Sequence, residues 1–445
     1  MELYPHQQEA LKLTEGENKV AYYLDMGLGK TYVGSEKLIQ LGKNVNLVVC
    51  QKSKIPDWLE HFKKHYDVLT LDLTNKAEMK MFLIEGDRNV HGIVGVINYE
   101  LVWRRTELSK LRDFTLMLDE SSLIQNDKAK QTKFIMKLKP DNVILLSGTP
   151  TSGKYERLWT QCSLLGWKIS KSMYENQYIN YELLNVGSQK IRVVCKDKPY
   201  KNVERLKRKL REHGAVFMKT EEVVDLPEKN FIKVKVDKPK MYDKFMKNDY
   251  MMVDTLNLVE FIDDSDFEGK DVRPRVELIA STSLTKRLYA RQLASQYNKS
   301  KLEAVKDLLE SSDDRFVIFY NFNDEFVRLK RICDRLERPV SVLNGSVKDL
   351  SNYRKEPNSV CLVQYQAGAK GGNLQEGDKI IYFSLTEKCE DWMQSQKRIH
   401  RIGQEKPCFY YILLAAGTVD MQIYNALERG VDFTDELFRE GGEIS

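Results

Sequence analysis

The segment Asp25-Met26-Gly27-Leu28-Gly29-Lys30-Thr31 lies between an apolar run, Val20 to Leu24, and an amphipathic run, Thr31 to Leu41. Strand, glycine loop and helix in that order leave backbone N–H groups at a helix N-terminus facing an anion. Gly27 and Gly29 allow close approach of the backbone, Lys30 is placed to reach the β and γ phosphates of a nucleotide, and Thr31 supplies a hydroxyl for Mg²⁺. Leu24 stands where the strict phosphate-loop spacing has its first glycine, so the local order carries the assignment rather than the full pattern. Such a loop needs an acid at the end of another strand, and Leu116-Met117-Leu118-Asp119-Glu120 supplies two. Asp119 would anchor Mg²⁺ through water, and Glu120 would orient and deprotonate an attacking water. Far along the chain, Arg398 and Arg401 are spaced to share a face of a helix expected over Trp392 to Ile402, where they could meet a polyphosphate. An arginine so delivered is worth about 10³ to 10⁵ in rate in phosphoryl transfer.

Positioning these groups requires α/β lobes. Strands are expected at Val20 to Leu24, Val45 to Cys50, Val68 to Leu73, Gly92 to Ile97, Thr115 to Leu118 and Asn142 to Leu146. Helical patterns separate them at Thr31 to Leu41, Pro56 to His65, Lys76 to Ile84, Leu101 to Leu111 and Lys128 to Leu138. Alternation of this kind implies βαβ units and a parallel sheet covered on both faces. It stops after about Leu165 and resumes at Phe316, continuing to Leu414. The expected fold class is therefore α/β, with two parallel-sheet lobes and short helical protrusions between them. Lobe 1 is expected over 1–230 with a helical, basic insertion at about 166–230, and lobe 2 over 231–445 with a mostly helical protrusion at about 240–310.

A length of 445 residues, 42% hydrophobic and 30% charged, fits folded domains and excludes a fibrous or wholly disordered chain. No apolar run is long enough to span a bilayer and the start has no signal-peptide pattern, so no membrane association and a cytosolic location are expected. The seven cysteines are scattered with no Cys-x-x-Cys pair, which argues against a disulfide framework or a zinc ribbon. A net charge of +5, from 70 basic and 65 acidic residues, does not by itself mark a nucleic-acid binder. The segment Pro199 to Lys219 concentrates seven basic residues, which reads equally as a solvated helix face or a phosphate-facing one. His61 and His65 have a metal-capable spacing, but Phe62 follows His61 where the zinc-protease signature requires Glu, and no third ligand is evident, so no metal site is expected there.

Taken in order, Leu3-Tyr4-Pro5-His6-Gln7, the glycine loop, Asp119-Glu120, Ser147-Gly148-Thr149-Pro150, Ala367 to Leu374 and Gln394 to Gln404 resemble the motifs of the Swi/Snf-like branch of superfamily-two ATPases. Arg398-Ile399-His400-Arg401-Ile402-Gly403-Gln404 is the most specific of them, and the resemblance extends over nearly the whole chain. It implies two RecA-like lobes that bind ATP and Mg²⁺ in their cleft and move on nucleic acid, usually double-stranded DNA. By that similarity Gln7 reads the adenine, and Gly27, Gly29, Lys30, Thr31, Gly371, Asn373 and Gln394 bind the nucleotide. Thr31 and Asp119 hold the metal, while Lys30, Asp119, Glu120, Arg398 and Arg401 carry catalysis. Lys52, Ser53, Asn98, Tyr99, Thr149, Asn321 and Gln366 fall on the loops that face DNA, where main-chain amides and small polar side chains grip phosphates without reading sequence.

The chain departs from the family at two points. Ser121 and Ser122 follow the acidic pair where the family commonly has Gly and His, and Gly372 stands where an apolar residue is usual. The first departure bears on how the γ-phosphate signal reaches Ser147 to Pro150. The resemblance implies a bare motor, similar to bacterial or phage-encoded members and without room for a bromodomain, chromodomain or nuclease domain, that is a monomer and has replication or recombination proteins as its partners. The expected function is an ATP-dependent translocase or helicase on duplex DNA. The alternatives are a helicase unwinding single-stranded DNA or RNA, and a nucleotide-gated DNA clamp with little turnover.

Overall fold

The computed structural model describes residues 2–86, 92–151, 154–186, 189–195, 198–223, 225–254, 275–365 and 373–439. Two compact units are built around Met1–Asp225 and Leu226–Val431.

In the first unit the strands are β1 (Lys19–Leu24), β2 (Val45–Cys50), β3 (Leu69–Asp72), β4 (Ile93–Asn98), β5 (Phe114–Asp119), β6 (Asn142–Leu146), β7 (Tyr181–Val186), β8 (Gln189–Val194) and β9 (Ala215–Met218). Seven of these described strands form one sheet in the order β3-β4-β2-β5-β6-β1-β9, with every pairing parallel. Runs such as Val-Asn-Leu-Val-Val-Cys in β2 and Asn-Val-Ile-Leu-Leu in β6 are buried at every position, as strands covered on both faces must be. Because the strands are parallel, their C-terminal ends collect along one edge, where ligands bind in folds of this type. That edge gathers Leu24, Cys50, Asn98, Asp119 and Leu146, each of which leads into one of the motif segments.

Three helices matter for the site: α1 (Pro5–Leu13), α2 (Lys30–Gln40) and α3 (Ile55–His65). The apolar face of α3 buries Ile55, Trp58 and Phe62 at helical spacing. The helix expected over Leu101 to Leu111 is instead a short turn of helix, Tyr99–Val102, and a 3₁₀ segment, Thr106–Lys110. Buried Leu108 and Leu111 seat that segment in the core.

The insertion after Leu165 is not simply helical. Helix Lys171–Tyr178, the antiparallel hairpin β7–β8 and helix Val203–Glu212 are followed by β9, which adds to the main sheet beside β1 with Leu24 opposite Met218. A four-residue strand, Ala-Val-Phe-Met, offers too little pattern to stand out beside the long basic helix before it. The helix buries Leu206 and Leu210 together with Lys207, whose ammonium lies within 3.3 Å of Glu204, so part of its basic run is structural.

The second unit contains β10 (Lys229–Val236), β11 (Tyr250–Asp254), β12 (Arg275–Ile279), β13 (Phe316–Tyr320), β14 (Val340–Leu343), β15 (Lys348–Asp349), β16 (Val360–Gln364), β17 (Lys379–Tyr382) and β18 (Cys408–Ala415). Its sheet runs β10-β18-β17-β13-β16-β14-β15 and is parallel except for the β14–β15 pair. The segment expected to be mostly helical holds helices Lys240–Asn248, Ser283–Ala294 and Lys299–Glu310, but also the antiparallel β11–β12 hairpin. β10 alternates, Lys-Asn-Phe-Ile-Lys-Val-Lys-Val, and occupies a half-exposed sheet edge. Among the described residues no helix is long and apolar enough to cross a membrane.

Candidate functional site

In the first unit the phosphate-type loop takes the geometry its glycines permit. Gly29 caps α2 with φ 76°, in the left-handed region, so L side chains are strained there. A Cβ on Gly29 would also run into the Gln7 amide, which lies across the loop and donates to Leu28 O at 3.1 Å. The His6 ring meets the same carbonyl at 3.0 Å. Gln7 Oε1 in turn accepts from the Tyr4 N–H at 3.0 Å, so the start of α1 is locked onto the loop. On the other side, the Thr220 hydroxyl donates to Asp25 Oδ2 at 3.0 Å. Lys30 Nζ donates to Leu24 O at 3.0 Å and Asp25 O at 3.2 Å, which holds the ammonium over the loop. A Cβ on Gly148 would lie 3.3 Å from that nitrogen and 3.2 Å from Met26 Cγ, so the Ser147 to Pro150 segment abuts the loop.

The acidic pair completes the arrangement. Trp58 Nε1 donates to Asp119 Oδ2 at 2.8 Å, and the Tyr99 hydroxyl donates to the main-chain oxygen of Asp119 at 2.9 Å. Desolvation raises the Asp119 pKa, the Trp58 hydrogen bond opposes it, the neighbouring Glu120 raises it further, and the charges of Lys30 and Lys54 lower it. Glu120 sits at φ 55° and turns its carboxylate to the third segment: Oε1 accepts from Ser147 Oγ at 2.7 Å and from Ser122 Oγ at 3.1 Å. Ser147 Oγ also accepts from the Thr149 N–H at 3.1 Å. Behind this, Gln161 takes Ser121 Oγ at 2.8 Å and Tyr23 Oη at 2.9 Å on its Oε1, and gives Nε2 to Pro150 O at 2.8 Å. Of the two serines that depart from the family pattern, Ser121 thus reaches the Ser147 to Pro150 segment through Gln161, while Ser122 bonds Glu120 itself.

Hard oxygen donors from Thr31 and Asp119 suit Mg²⁺, an ion that usually takes one or two protein oxygens and completes its shell with phosphate and water. Among the described residues there is no cluster of three His, Cys, Asp or Glu able to hold a metal alone. His61 and His65 accordingly pack with aromatic rings: His61 meets Ser35 Oγ at 2.9 Å and stands edge-on to Trp58 and Tyr32. Burial, with the nearby His65, lowers the His61 pKa to about 4.

The DNA-facing expectations divide. Lys52 and Ser53 are exposed, and Lys52, Asn98 and Arg104 line a common cavity of about 700 Å³. Tyr99 is only 2% exposed and donates inward, so its side chain is not a surface contact. Thr149, 3% exposed, is likewise interior, and the Asn321 amide in the second unit donates to Ser384 Oγ at 2.9 Å and Leu385 O at 3.1 Å. For Tyr99 and Asn321 interior hydrogen bonds win over outward display, because an unpaired buried donor costs more than the bond it forgoes with solvent, whereas the Thr149 hydroxyl is buried with no hydrogen-bond partner. Gln366 and Gly371 lie outside the described residues.

Within the second unit, the helix expected through Ile402 ends at Gln396, and Arg398 and Arg401 stand on the turns that follow. Beyond these turns Gln404 fixes the chain: its Nε2 donates to Gln375 O, Gly377 O and Ile399 O at 3.0 to 3.1 Å, and its Oε1 accepts the N–H groups of Glu405 and Lys406. The His400 ring meets Pro227 O at 2.8 Å, and Arg398 O accepts from the Leu374 N–H at 3.1 Å, next to Asn373. Gln394 is buried and donates to Glu390. Sequence reasoning missed Trp58 and Gln161; a polar group inside an otherwise apolar helical face was the available signal for both.

A sequence model of the SNF2-related domain matches residues 23–271, more than half of the chain, and one of the helicase conserved C-terminal domain matches residues 300–403. The chain belongs to the SNF2-related family. It is 22% identical to a Bacillus subtilis (strain 168) protein named as an ATP-dependent helicase/translocase, YwqA, over 95% of this chain and 46% of that protein. It is 24% identical to mouse SWI/SNF-related matrix-associated actin-dependent regulator of chromatin subfamily A member 1, over 94% of this chain and 41% of that protein. The SNF2-related chain thus spans less than half the length of these curated relatives. Among solved structures it is similar to a Sulfolobus solfataricus SWI2/SNF2 ATPase core in complex with dsDNA, at 19% identity and a TM-score of 0.44, covering 99% of this chain and 92% of that one.

Proposed function

We propose that this chain hydrolyses ATP with Mg²⁺ and uses the turnover to move on double-stranded DNA. The observation that carries the proposal is the convergence, within one unit, of Lys30 over the glycine loop, the Asp119-Glu120 pair, and Ser147 bound to Glu120. Lys30 and the loop amides bind the phosphates, Thr31 and Asp119 hold Mg²⁺, and Glu120 takes the proton of the attacking water. Mg²⁺ supplies charge neutralisation on the transferred phosphoryl group. Arg398 and Arg401 are carried over from the family resemblance as the groups that stabilise the γ-phosphate charge as it develops. The name of the Bacillus subtilis relative, as an ATP-dependent helicase/translocase, supports the same reading. Duplex as the track follows from the family resemblance.

The test is steady-state ATP hydrolysis without nucleic acid and with duplex DNA, single-stranded DNA or RNA, at two salt concentrations, beside Lys30→Ala. Duplex stimulation that weakens with salt is the expected result, because phosphate contacts release counterions. Preferential stimulation by single strands or RNA would replace the duplex track, and absence of Lys30-dependent hydrolysis in every condition would leave a clamp.

A further inference from the structure

Two segments that face nucleic acid in the proposed function end on one aspartate. The 3₁₀ turn Lys52–Lys54 runs directly into α3, and α3 delivers Trp58 Nε1 to Asp119 Oδ2 at 2.8 Å. Asn98 closes β4, and the next residue, Tyr99, sets its hydroxyl on Asp119 O at 2.9 Å. Trp58 and Tyr99 are each 2% exposed, so both hydrogen bonds are shielded from water and respond stiffly to movement of the segments that carry them. The same segments meet again at the cavity of about 700 Å³, which exposed Lys52 and buried Asn98 both line with Arg104, Asp72 and Glu100, the Asn98 amide donating to Glu100 at 2.6 Å.

We infer that Trp58 and Tyr99 are positioning residues through which nucleic acid bound at the Lys52 and Asn98 segments sets the Asp119 carboxylate, and with it the affinity for Mg²⁺. The inference rests on the motor function proposed above and adds a route by which the track controls turnover. The carboxylate is fixed at its side chain by an indole and at its main chain by a phenol, so a shift of α3 or of the Asn98 turn reorients it. Partners of a metal-binding carboxylate that are themselves outside the metal's shell change affinity or activity by about 10- to 100-fold when removed.

Trp58→Phe and Tyr99→Phe remove a donor and keep an aromatic ring, and Tyr66→Phe, whose hydroxyl bonds Glu36 instead, is the control. In the full chain, binding of a fluorescent non-hydrolysable ATP analogue is titrated with Mg²⁺, with and without duplex DNA, and duplex affinity is measured separately. Wild type should need less Mg²⁺ when duplex is present. In Trp58→Phe the half-saturating Mg²⁺ with duplex should rise about tenfold, in both variants the duplex-dependent difference should shrink, and duplex affinity should move less than about threefold. Tyr66→Phe should behave as wild type. Should Trp58→Phe not fold, Tyr99→Phe decides alone. Variants that keep the full duplex-dependent difference overturn the inference while the motor function stands. A wild type whose nucleotide binding depends on Lys30 but ignores duplex also overturns the inference, and only loss of Lys30-dependent hydrolysis in the same preparations overturns the motor function as well.

Discussion

Glu120 Oε1 accepts a hydrogen bond from Ser147 Oγ at 2.7 Å, so the carboxylate proposed to activate water is held by the segment that abuts the glycine loop. Glu120→Gln keeps an oxygen able to accept from Ser147 while removing the basic carboxylate. We expect ATP affinity to persist and hydrolysis to fall about 10²- to 10⁴-fold, the usual worth of a general base. Nucleotide binding by calorimetry alongside single-turnover hydrolysis checks this; a variant that still turns over near the wild-type rate excludes Glu120 as the base.

Gln161 is fully buried and serves three partners, Ser121, Tyr23 and Pro150 O. Gln161→Leu strands two hydroxyls and weakens the hold on Pro150, whose oxygen retains Gln125 at 3.3 Å. Because a buried polar group without a partner costs about 1 to 3 kcal/mol, the single variant should lower the urea midpoint clearly. Combining it with Ser121→Ala and Tyr23→Phe should restore much of the loss, since removing donors and acceptor together is close to neutral. A triple variant less stable than the single one would refute this account of the network.

The βα alternation was legible because β2, β5, β6, β13 and β16 are parallel strands covered on both faces, and such strands must read as unbroken apolar runs. The glycine loop and acidic pair were legible for a related reason, since each occupies the C-terminal end of a strand whose run is plain in the sequence. β9 and the β11–β12 hairpin were not, because four- and five-residue strands next to charged helices carry little periodicity. The end of the helix at Gln396 was illegible too, since the apolar spacing runs on through Ile399 and Ile402 while the backbone passes into turns. Trp58 shows the same limit: its place on the apolar face of α3 was readable, but only the fold brings its indole N–H to Asp119.

His61 gives a pH dependence of stability. Burial, aided by the nearby His65, lowers its pKa from the ordinary value to about 4, with Tyr32, Trp58 and Tyr66 packed around the ring. A folded-state pKa below the unfolded one means the unfolded chain binds the proton first, so stability is intact above about pH 6.5 and declines as pH falls toward 4. The ring is partly solvated, so the expected loss is about 1 kcal/mol rather than the full value of the shift. Urea unfolding of wild type and His61→Gln at pH 7.5 and pH 5 measures it. The variant should show the smaller drop between the two pH values, and equal drops would show that other groups govern the acid limb.

Gly29 meets two separate demands, a left-handed backbone at φ 76° and room for the Gln7 amide. Gly29→Ala should therefore act twice. The left-handed conformation costs an L residue about 1 to 2 kcal/mol, and the new methyl displaces the Gln7 amide from Leu28 O. We expect a lower melting temperature and ATP affinity reduced about tenfold or more, in line with the same 1 to 2 kcal/mol of strain at the loop. The two effects separate in a double variant. Gly29→Ala with Gln7→Ala removes the clash but not the backbone strain, and it takes away the side chain expected at the adenine, so stability should recover in part while ATP affinity should not. Affinity that returned with stability would show the Gln7 collision to be the whole effect and the left-handed backbone to be dispensable for phosphate binding.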